Sequence, residues 1–111
     1  MPQIEWDDFQ RVELRVGTIL SAEPNPKALK PAYVLRVDLG ELGVKTSSAQ
    51  LTAHYSCEQL IDRQVLCVCN FAPKRIAGIR SEVLVTGVYD AEQNVVLASF
   101  DKPVPNGARL A

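Results

Sequence analysis

Cationic side chains are concentrated in residues 70–82, between two apolar segments of the chain. Lys74, Arg75 and Arg80 fall within this stretch, and no acidic residue occurs in it before Glu82. Phosphate groups are bound by such cations, and an arginine guanidinium adds a planar fork that can pair with two phosphate oxygens. The stretch therefore predicts a surface that binds phosphate groups, as a nucleic acid would present them.

Two uncharged side chains, Asn70 and Ser81, add hydrogen-bonding groups to the same stretch. An amide and a hydroxyl can contact base edges or sugar hydroxyls, and a ribose 2′-hydroxyl would suit both. Charged surface loops are common, however, so a solvated basic loop without a ligand fits the same pattern. Both interpretations are open on the residue pattern alone.

A second polar run, residues 45–50, contains Lys45, Ser48 and Gln50 on a predicted strand. Small hydrogen-bonding side chains are unusual in a core strand, and they suit a groove in which polar groups meet an RNA backbone. A Ser/Thr-rich edge strand is the alternative, and the sequence does not separate the two.

Three more cations, Lys27, Lys30 and Arg36, follow the first predicted strand. They would face the same region only if the loop after that strand folds over the barrel. This is the weakest of the three cationic signals.

Zinc binding is an alternative use of His54, Cys57, Cys67 and Cys69, because tetrahedral zinc takes histidine and cysteine ligands. The spacing argues against it. Cys67 and Cys69 lie two residues apart in an apolar strand, so both point to one face, and buried thiols are the usual outcome there. The same geometry disfavours a disulfide between them. We therefore predict no metal and no cofactor.

Catalysis has little support in the sequence. His54 is the only histidine, and no nucleophile and acid are arranged around it. Asp7 and Asp8 fit a helix start, where carboxylates interact favourably with the first amides. Ser47 and Ser48 lack the strand-to-helix elbow of a serine nucleophile. The sequence predicts a binding protein and not an enzyme.

Length and composition fit one domain spanning residues 1–111. The chain has 111 residues and a formal net charge of −1, so any nucleic-acid surface must be a local basic patch. No signal peptide and no membrane-length apolar run is visible. The three cysteines, an odd number without an export signal, indicate reduced thiols. We expect a cytoplasmic protein with no membrane association.

Apolar periodicity predicts short strands that position these residues. The predicted strands are 12–20, 33–39, 44–51, 65–69, 83–88 and 95–100. A short helix is expected over residues 6–12, with Asp7 as its cap and Gln10 completing a capping box. A second helix, 57–61, is capped by Ser56 and lies between strands 3 and 4. Residues 70–82 form a loop in this scheme.

This order of elements predicts an all-β fold, a five-stranded Greek-key barrel of the OB type with a C-terminal β extension. The barrel would occupy residues 12–88. The apolar residues of the terminal segments, 1–11 and 89–111, need cover, either from their own barrel or from a second copy of the chain.

Three ordered motifs resemble the OB-fold tRNA-binding domain family. They are the segment 8–19 with Glu13-Leu14-Arg15-Val16-Gly17, the run 45–51, and the stretch 70–82. The family includes stand-alone structure-specific tRNA-binding proteins, CsaA-type chaperones, the C-terminal domain of methionyl-tRNA synthetases and the endothelial-monocyte-activating polypeptide. The likeness covers nearly the whole chain and is strongest to the free-standing bacterial members.

The resemblance implies a homodimer, joined through the terminal segments, that binds tRNA by its shape. An aminoacyl-tRNA synthetase is a possible further partner. The alternative that the resemblance offers is a CsaA-like, export-related chaperone that binds unfolded polypeptides. The positions that match the family's binding motifs are Lys45, Ser48, Gln50, Asn70, Lys74, Arg75 and Ser81. Lys74 stands where many relatives have arginine, and a lysine cannot form the bidentate fork.

Overall fold

The computed structural model describes residues 1–111, and its main feature is an antiparallel sheet that curves into a barrel. In chain order the elements are α1 (Trp6–Gln10), β1 (Leu14–Pro24), β2 (Tyr33–Asp38), a 3-10 turn (Gly40–Leu42), β3 (Val44–Ala49), α2 (Cys57–Leu60), β4 (Gln64–Val68), β5 (Lys74–Ile76), β6 (Ile79–Ser81), β7 (Leu84–Val85), β8 (Gly87–Tyr89) and β9 (Val95–Leu97). The α2 helix lies between strands 3 and 4, as predicted.

Five strands form the barrel in the order β3-β2-β1-β4-β7. The long β1 pairs with β4 through its first half and with β2 through its second half. At the open side of the barrel, the Glu82 N–H donates to the Thr46 carbonyl at 2.8 Å. This hydrogen bond links the segment between β6 and β7 to β3. The barrel is therefore nearly closed, and the predicted all-β, OB-type barrel is confirmed.

The core confirms the predicted periodicity of the second strand. Leu35, Val37 and Leu39 are all fully buried, as alternate residues on one face of a strand must be when that face covers the core. The α2 helix adds Leu60, which is also fully buried. Ser56 caps this helix as predicted, and its hydroxyl oxygen accepts from the N–H three residues later at 3.3 Å.

The cap of α1 differs from the prediction. Glu5, and not Asp7, is the capping residue, and its N–H donates to the Asp8 carboxylate at 3.0 Å. Asp8 stands three residues after Glu5, the position from which an acidic side chain reaches back to the first free amide. Asp7 lies inside the helix, and Gln10 is its last residue.

Several strands also differ from their predicted ends, and β3 and β9 are two and three residues shorter at their C-terminal ends than predicted. β1 continues to Pro24, which pairs with Tyr33, because a proline at the end of a strand removes only one hydrogen-bond donor. The predicted strand 83–88 is divided into β7 and β8 at Thr86. There the chain changes partner: the Thr86 N–H donates to the Leu66 carbonyl of β4, while its carbonyl accepts from Ala98.

The C-terminal segment partly covers its own barrel. Val16 of β1 donates to the Ala108 carbonyl at 2.9 Å and accepts from the Gly107 N–H at 2.7 Å. Leu97 of β9 belongs to the hydrophobic core. No helix in the structure combines the length and the apolar character required to cross a membrane.

Candidate nucleic-acid interface

Residues 74–81 form a two-stranded hairpin, where the sequence predicted a loop. β5 and β6 are joined by Ala77 and Gly78, whose φ angles are +47° and +83°. Two consecutive positive φ angles define the tight turn whose twist matches that of paired strands, and glycine adopts such angles without a steric penalty. The cations of this stretch are therefore held on paired backbone.

The hairpin is attached to the barrel at its base and its tip. At the base, the Ser48 N–H donates to the Ser81 hydroxyl oxygen at 3.0 Å. At the tip, the Asn25 side chain donates to the Ala77 carbonyl at 3.3 Å, and the Lys27 side chain packs over Gly78. The loop after β1 thus contacts the tip of the hairpin, which brings Lys27 to the cationic stretch.

The pairing of the hairpin decides where its charges point. Lys74 is opposite Ser81, and Arg75 is directly opposite Arg80, so the two arginines share one face. Arg80 has partial compensation from Glu82 at 3.4 Å. Lys74 and Arg75 take part in none of the ion pairs of the structure and are exposed.

An apolar groove of about 370 Å³ runs between the hairpin and the barrel. It is lined by Ser48, Phe71, Lys74, Ile76, Ser81 and Leu84, among others. We call it the apolar groove. Three of the predicted site residues therefore meet in one depression.

Two further grooves border the apolar groove. The cationic groove, of about 400 Å³, is lined by Lys45, Arg80 and Cys69, and it shares Phe71 with the apolar groove. The outer groove, of about 480 Å³, is lined by Lys30 and Gln50, among others, and it shares Ser48 with the apolar groove. Shared lining residues make the three depressions one continuous track.

Asn70 lies outside this track and holds backbone segments together. Its side-chain amide donates to the Arg11 carbonyl at 2.7 Å, and its side-chain oxygen accepts from the Glu13 N–H at 2.9 Å. Both polar atoms are thus engaged in joining the end of β4 to the start of β1. The other six predicted positions lie on the track or on the hairpin beside it.

The thiols near the site are packing groups. Burial raises the pKa of Cys67 to about 12, and it also raises the pKa of Cys69, which packs against the core from the cationic groove. Both groups are therefore protonated at neutral pH, although nearby Arg15 and Lys45 act in the opposite direction on Cys69. The structure gathers no set of three or more His, Cys, Asp or Glu side chains that could hold a metal ion.

The sequence of the chain matches a known family over most of its length. The family model described as "Putative tRNA binding domain" matches residues 14–109. The chain belongs to the tRNA-binding domain family. The match spans all the barrel strands, the hairpin and the three grooves, so the track is part of the domain that defines this family.

Several solved structures and curated proteins are similar to this tRNA-binding domain. The crystal structure of the chaperone CsaA from Bacillus anthracis is 45% identical with a TM-score of 0.91, covering 99% of this chain and 100% of that one. The CsaA chaperone protein from Picrophilus torridus is 38% identical with a TM-score of 0.91, covering 98% and 100%.

A methionine–tRNA ligase of Flavobacterium johnsoniae is 36% identical over 107 residues, which is 96% of this chain and 15% of that protein. The chain spans about one seventh of the length of the ligases that it matches. The likeness to them is therefore to one domain.

The three grooves also contain residues that the family motifs did not select, among them Phe71, Tyr89 and Arg80, of which Arg80 had been noted only as a cation of the basic stretch. Phe71 lines both the apolar and the cationic groove and is 60% exposed. Arg80 lines the cationic groove, and Tyr89 lines the outer groove and is exposed. An aromatic residue within a basic stretch was the signal that could have identified Phe71, because base-stacking surfaces combine these residue types.

Proposed function

We propose that this protein is a non-catalytic tRNA-binding module that acts in the cytoplasm. The observation that carries the proposal is the hairpin β5–β6, which holds Lys74, Arg75 and Arg80 beside a track lined by hydrogen-bonding side chains. Arg75 and Arg80 are directly opposite each other on the paired strands, and one carboxylate, that of Glu82, lies 3.4 Å from Arg80. A phosphate between the two guanidinium groups would relieve their repulsion and accept hydrogen bonds from both.

Membership of the tRNA-binding domain family supports tRNA as the ligand. The polar positions on the track then have distinct roles. Lys45 and Lys74 would neutralise phosphates, while Ser48, Gln50 and Ser81 would bind ribose or base atoms. The Ser81 hydroxyl oxygen already accepts from the Ser48 N–H, so its proton is available to an RNA acceptor. Asn70 would contribute by fixing the backbone beside the track.

We further propose that the protein is a homodimer that recognises the shape of tRNA. Ile4 and Trp6 are 70% and 64% exposed, and a groove of about 230 Å³ lies between Trp6, Phe9, Leu14 and Leu110. Apolar surface of this kind on the terminal segments is typical of a subunit interface. A dimer would present two tracks to one folded RNA. A methionine–tRNA ligase or another synthetase is a candidate partner because such ligases carry a similar domain.

Phosphate binding predicts a steep salt dependence, which Arg75→Ala tests. Affinity for bulk tRNA should fall, and the slope of log K against log salt should decrease by about one, because one phosphate contact is lost. Fluorescence anisotropy at several salt concentrations measures both quantities. Lys102→Ala is the matched control, since it removes one exposed cation that lines none of the three grooves; because this residue lies in the terminal segment 89–111, the mass of the variant by light scattering must equal that of the wild type.

The same titration tests shape recognition through competition. Single-stranded RNA of equal length should displace tRNA poorly. Wild-type binding that does not change between low and high salt would contradict the proposed function. Equal competition by single strands would contradict shape recognition alone.

A chaperone that binds unfolded polypeptides is the second candidate function. Two similar structures are described as CsaA chaperones, and the exposed apolar groove could hold an apolar side chain of a polypeptide. The cations around that groove favour RNA, because an unfolded polypeptide has no fixed array of negative charges. Suppression of aggregation of a model substrate by an equimolar amount of protein would support the chaperone function.

A further inference from the structure

The apolar groove has features that phosphate binding does not explain. Phe71 is largely exposed although it is an aromatic residue, and Ile76 and Leu84 are exposed beside it on the same groove. A surface that only neutralised phosphates would need none of these apolar groups. Exposed contiguous apolar surface on a small protein usually marks a binding site.

The chemistry of the groove fits a flat, partly polar occupant. Its volume of about 370 Å³ lies at the lower end of the range for small-ligand sites. Polar atoms are available at its edges: the Ser48 hydroxyl makes no side-chain hydrogen bond in the structure, and the Ser81 hydroxyl retains its proton for donation. A nucleobase combines an apolar ring face with hydrogen-bonding edges, and this groove offers a partner for each.

The charges around the groove determine the class of occupant. Lys74 lies on its lining, Lys45 and Arg80 lie in the adjoining cationic groove, and Lys30 lies in the outer groove on the other side. Cations therefore flank the apolar groove in both directions along the track. A base with a phosphate on each side has the matching arrangement. The Glu82 carboxylate, which lines both the apolar and the cationic groove, already accepts from the Thr46 N–H at 2.9 Å and pairs with Arg80.

We propose that the apolar groove is a subsite for one unpaired nucleobase, which stacks on the Phe71 ring. The proposal rests on the proposed function, since the base belongs to a bound tRNA. The flanking phosphates lie in the cationic and outer grooves. Stacking on an aromatic ring tolerates any base, so the subsite recognises an unstacked nucleotide and not a particular sequence.

Four substitutions at Phe71 test the subsite against tRNA. Phe71→Ala and Phe71→Leu should each weaken binding on the order of tenfold, because a stacked base contact is lost. Phe71→Tyr and Phe71→Trp should retain affinity, because they keep an aromatic ring. The salt slope should stay unchanged in all four, because no phosphate contact is removed. Phe71 is mostly exposed, so its replacement should leave folding intact, and circular dichroism checks this.

A short oligonucleotide separates base binding from backbone binding. A pentanucleotide of adenosine should shift the methyl NMR signals of Ile76 and Leu84, through the ring current of the bound base. The same pentanucleotide with an abasic central position keeps every phosphate and should shift them much less. Ile61→Ala is the control variant, since it removes an exposed apolar side chain outside the three grooves and should bind both RNAs as the wild type does.

The outcomes distinguish the subsite from the proposed function. If wild-type protein binds tRNA with the expected salt slope but Phe71→Leu binds equally well, the subsite proposal is wrong and the proposed function stands. Equal methyl shifts with the intact and abasic RNA would also overturn the subsite. If an unfolded polypeptide shifts these methyl signals and RNA does not, the groove is a polypeptide site. Absence of any salt-dependent tRNA binding would overturn both proposals.

Discussion

At the residue scale, side-chain partners that are distant in sequence decide what each polar group does. Asn70 was predicted to bind RNA because it stands at the edge of a basic stretch. Its amide is occupied by the backbone of Arg11 and Glu13, more than fifty positions away. A sequence pattern shows which atoms could form hydrogen bonds, but it does not show which distant backbone groups will reach them first.

Phe71 was not selected as a site residue, although it lies within the basic stretch. The structure leaves its side chain exposed where the apolar and cationic grooves meet. By contrast, Ser48, Lys74 and Ser81 were selected from the motifs and meet on one groove. The polar residues of the groove could thus be predicted from the motifs, while no sequence pattern indicated that Ile76 and Leu84 would lie exposed beside them.

A prediction at this scale concerns Asp90, which orders the turn between β8 and β9 beside the outer groove. One of its carboxylate oxygens accepts from the N–H groups of Glu92 and Asn94, both at 2.9 Å, and the other lies 2.6 Å from His54. These contacts, with that of Asn94 largest, lower the pKa of Asp90 from its ordinary value of 3.8.

Because folding lowers this pKa, the charged form stabilises the fold above the ordinary pKa, and the contribution is lost as pH falls through the lowered value. Asp90→Ala should therefore unfold at a lower urea midpoint than the wild type at pH 7. The difference between the two midpoints should become smaller below about pH 4. Asp101→Ala, which removes a carboxylate that forms no ion pair in the structure, is the matched control and is measured at the same pH values. A difference in urea midpoint between Asp90→Ala and the wild type that stays constant with pH would contradict the prediction.

At the element scale, alternating burial made some strands predictable and its absence hid others. β2 was predicted to within one residue because its alternate side chains fill the core. β5 consists of three exposed residues, so it has no periodicity to detect. The hairpin was consequently predicted as a loop, although its cations were identified from the sequence.

The turn of the hairpin provides the prediction at this scale. Ala77 has a φ of +47°, a left-handed conformation that costs a residue with a Cβ about 1 kcal/mol and that asparagine tolerates better. Ala77→Asn would create Asn-Gly, the preferred pair for this turn. Amide hydrogen exchange of residues 74–81 should slow severalfold. Affinity for tRNA should rise, because a more rigid hairpin loses less conformational entropy when it binds the RNA.

The Asn25 contact does not interfere with this test, since it is made to the backbone carbonyl of Ala77, which the substitution keeps. Ala91→Asn is the matched control: it introduces the same side chain at an exposed turn residue that has no positive φ and lines none of the three grooves. Faster exchange in Ala77→Asn than in the wild type would show that the turn is held by contacts that asparagine disrupts.

At the scale of the whole molecule, the barrel followed from the number and spacing of strands, and the terminal segments did not follow from any pattern. Part of the segment 89–111 covers its own barrel through Leu97 and the pairing of residues 107–110 with β1. Exposed apolar side chains remain on both termini. Periodicity assigns residues to one face of an element, but it does not say whether that face meets the same chain or another.

The proposed homodimer gives the prediction at this scale, and the fold determines how to test it. Deleting residues 95–111 would remove Leu97 from the core, so loss of dimers would be confused with loss of folding. Trp6→Glu is a cleaner change, because α1 contains no buried residue. The added charge should prevent burial of the terminal apolar surface against a second copy. Light scattering should give the monomer mass of 12.2 kDa for the variant and twice that mass for the wild type.

Leu29→Glu is the matched control for this prediction, because it places the same charge on a fully exposed residue of the loop after β1, outside the terminal segments, and it should remain dimeric. Affinity of Trp6→Glu for tRNA should fall by up to about a hundredfold, since one RNA would then contact a single track and lose the gain from linked sites. A Trp6→Glu protein that keeps twice the monomer mass would place the subunit interface elsewhere. A monomeric variant with undiminished affinity would show that one track alone accounts for tRNA binding.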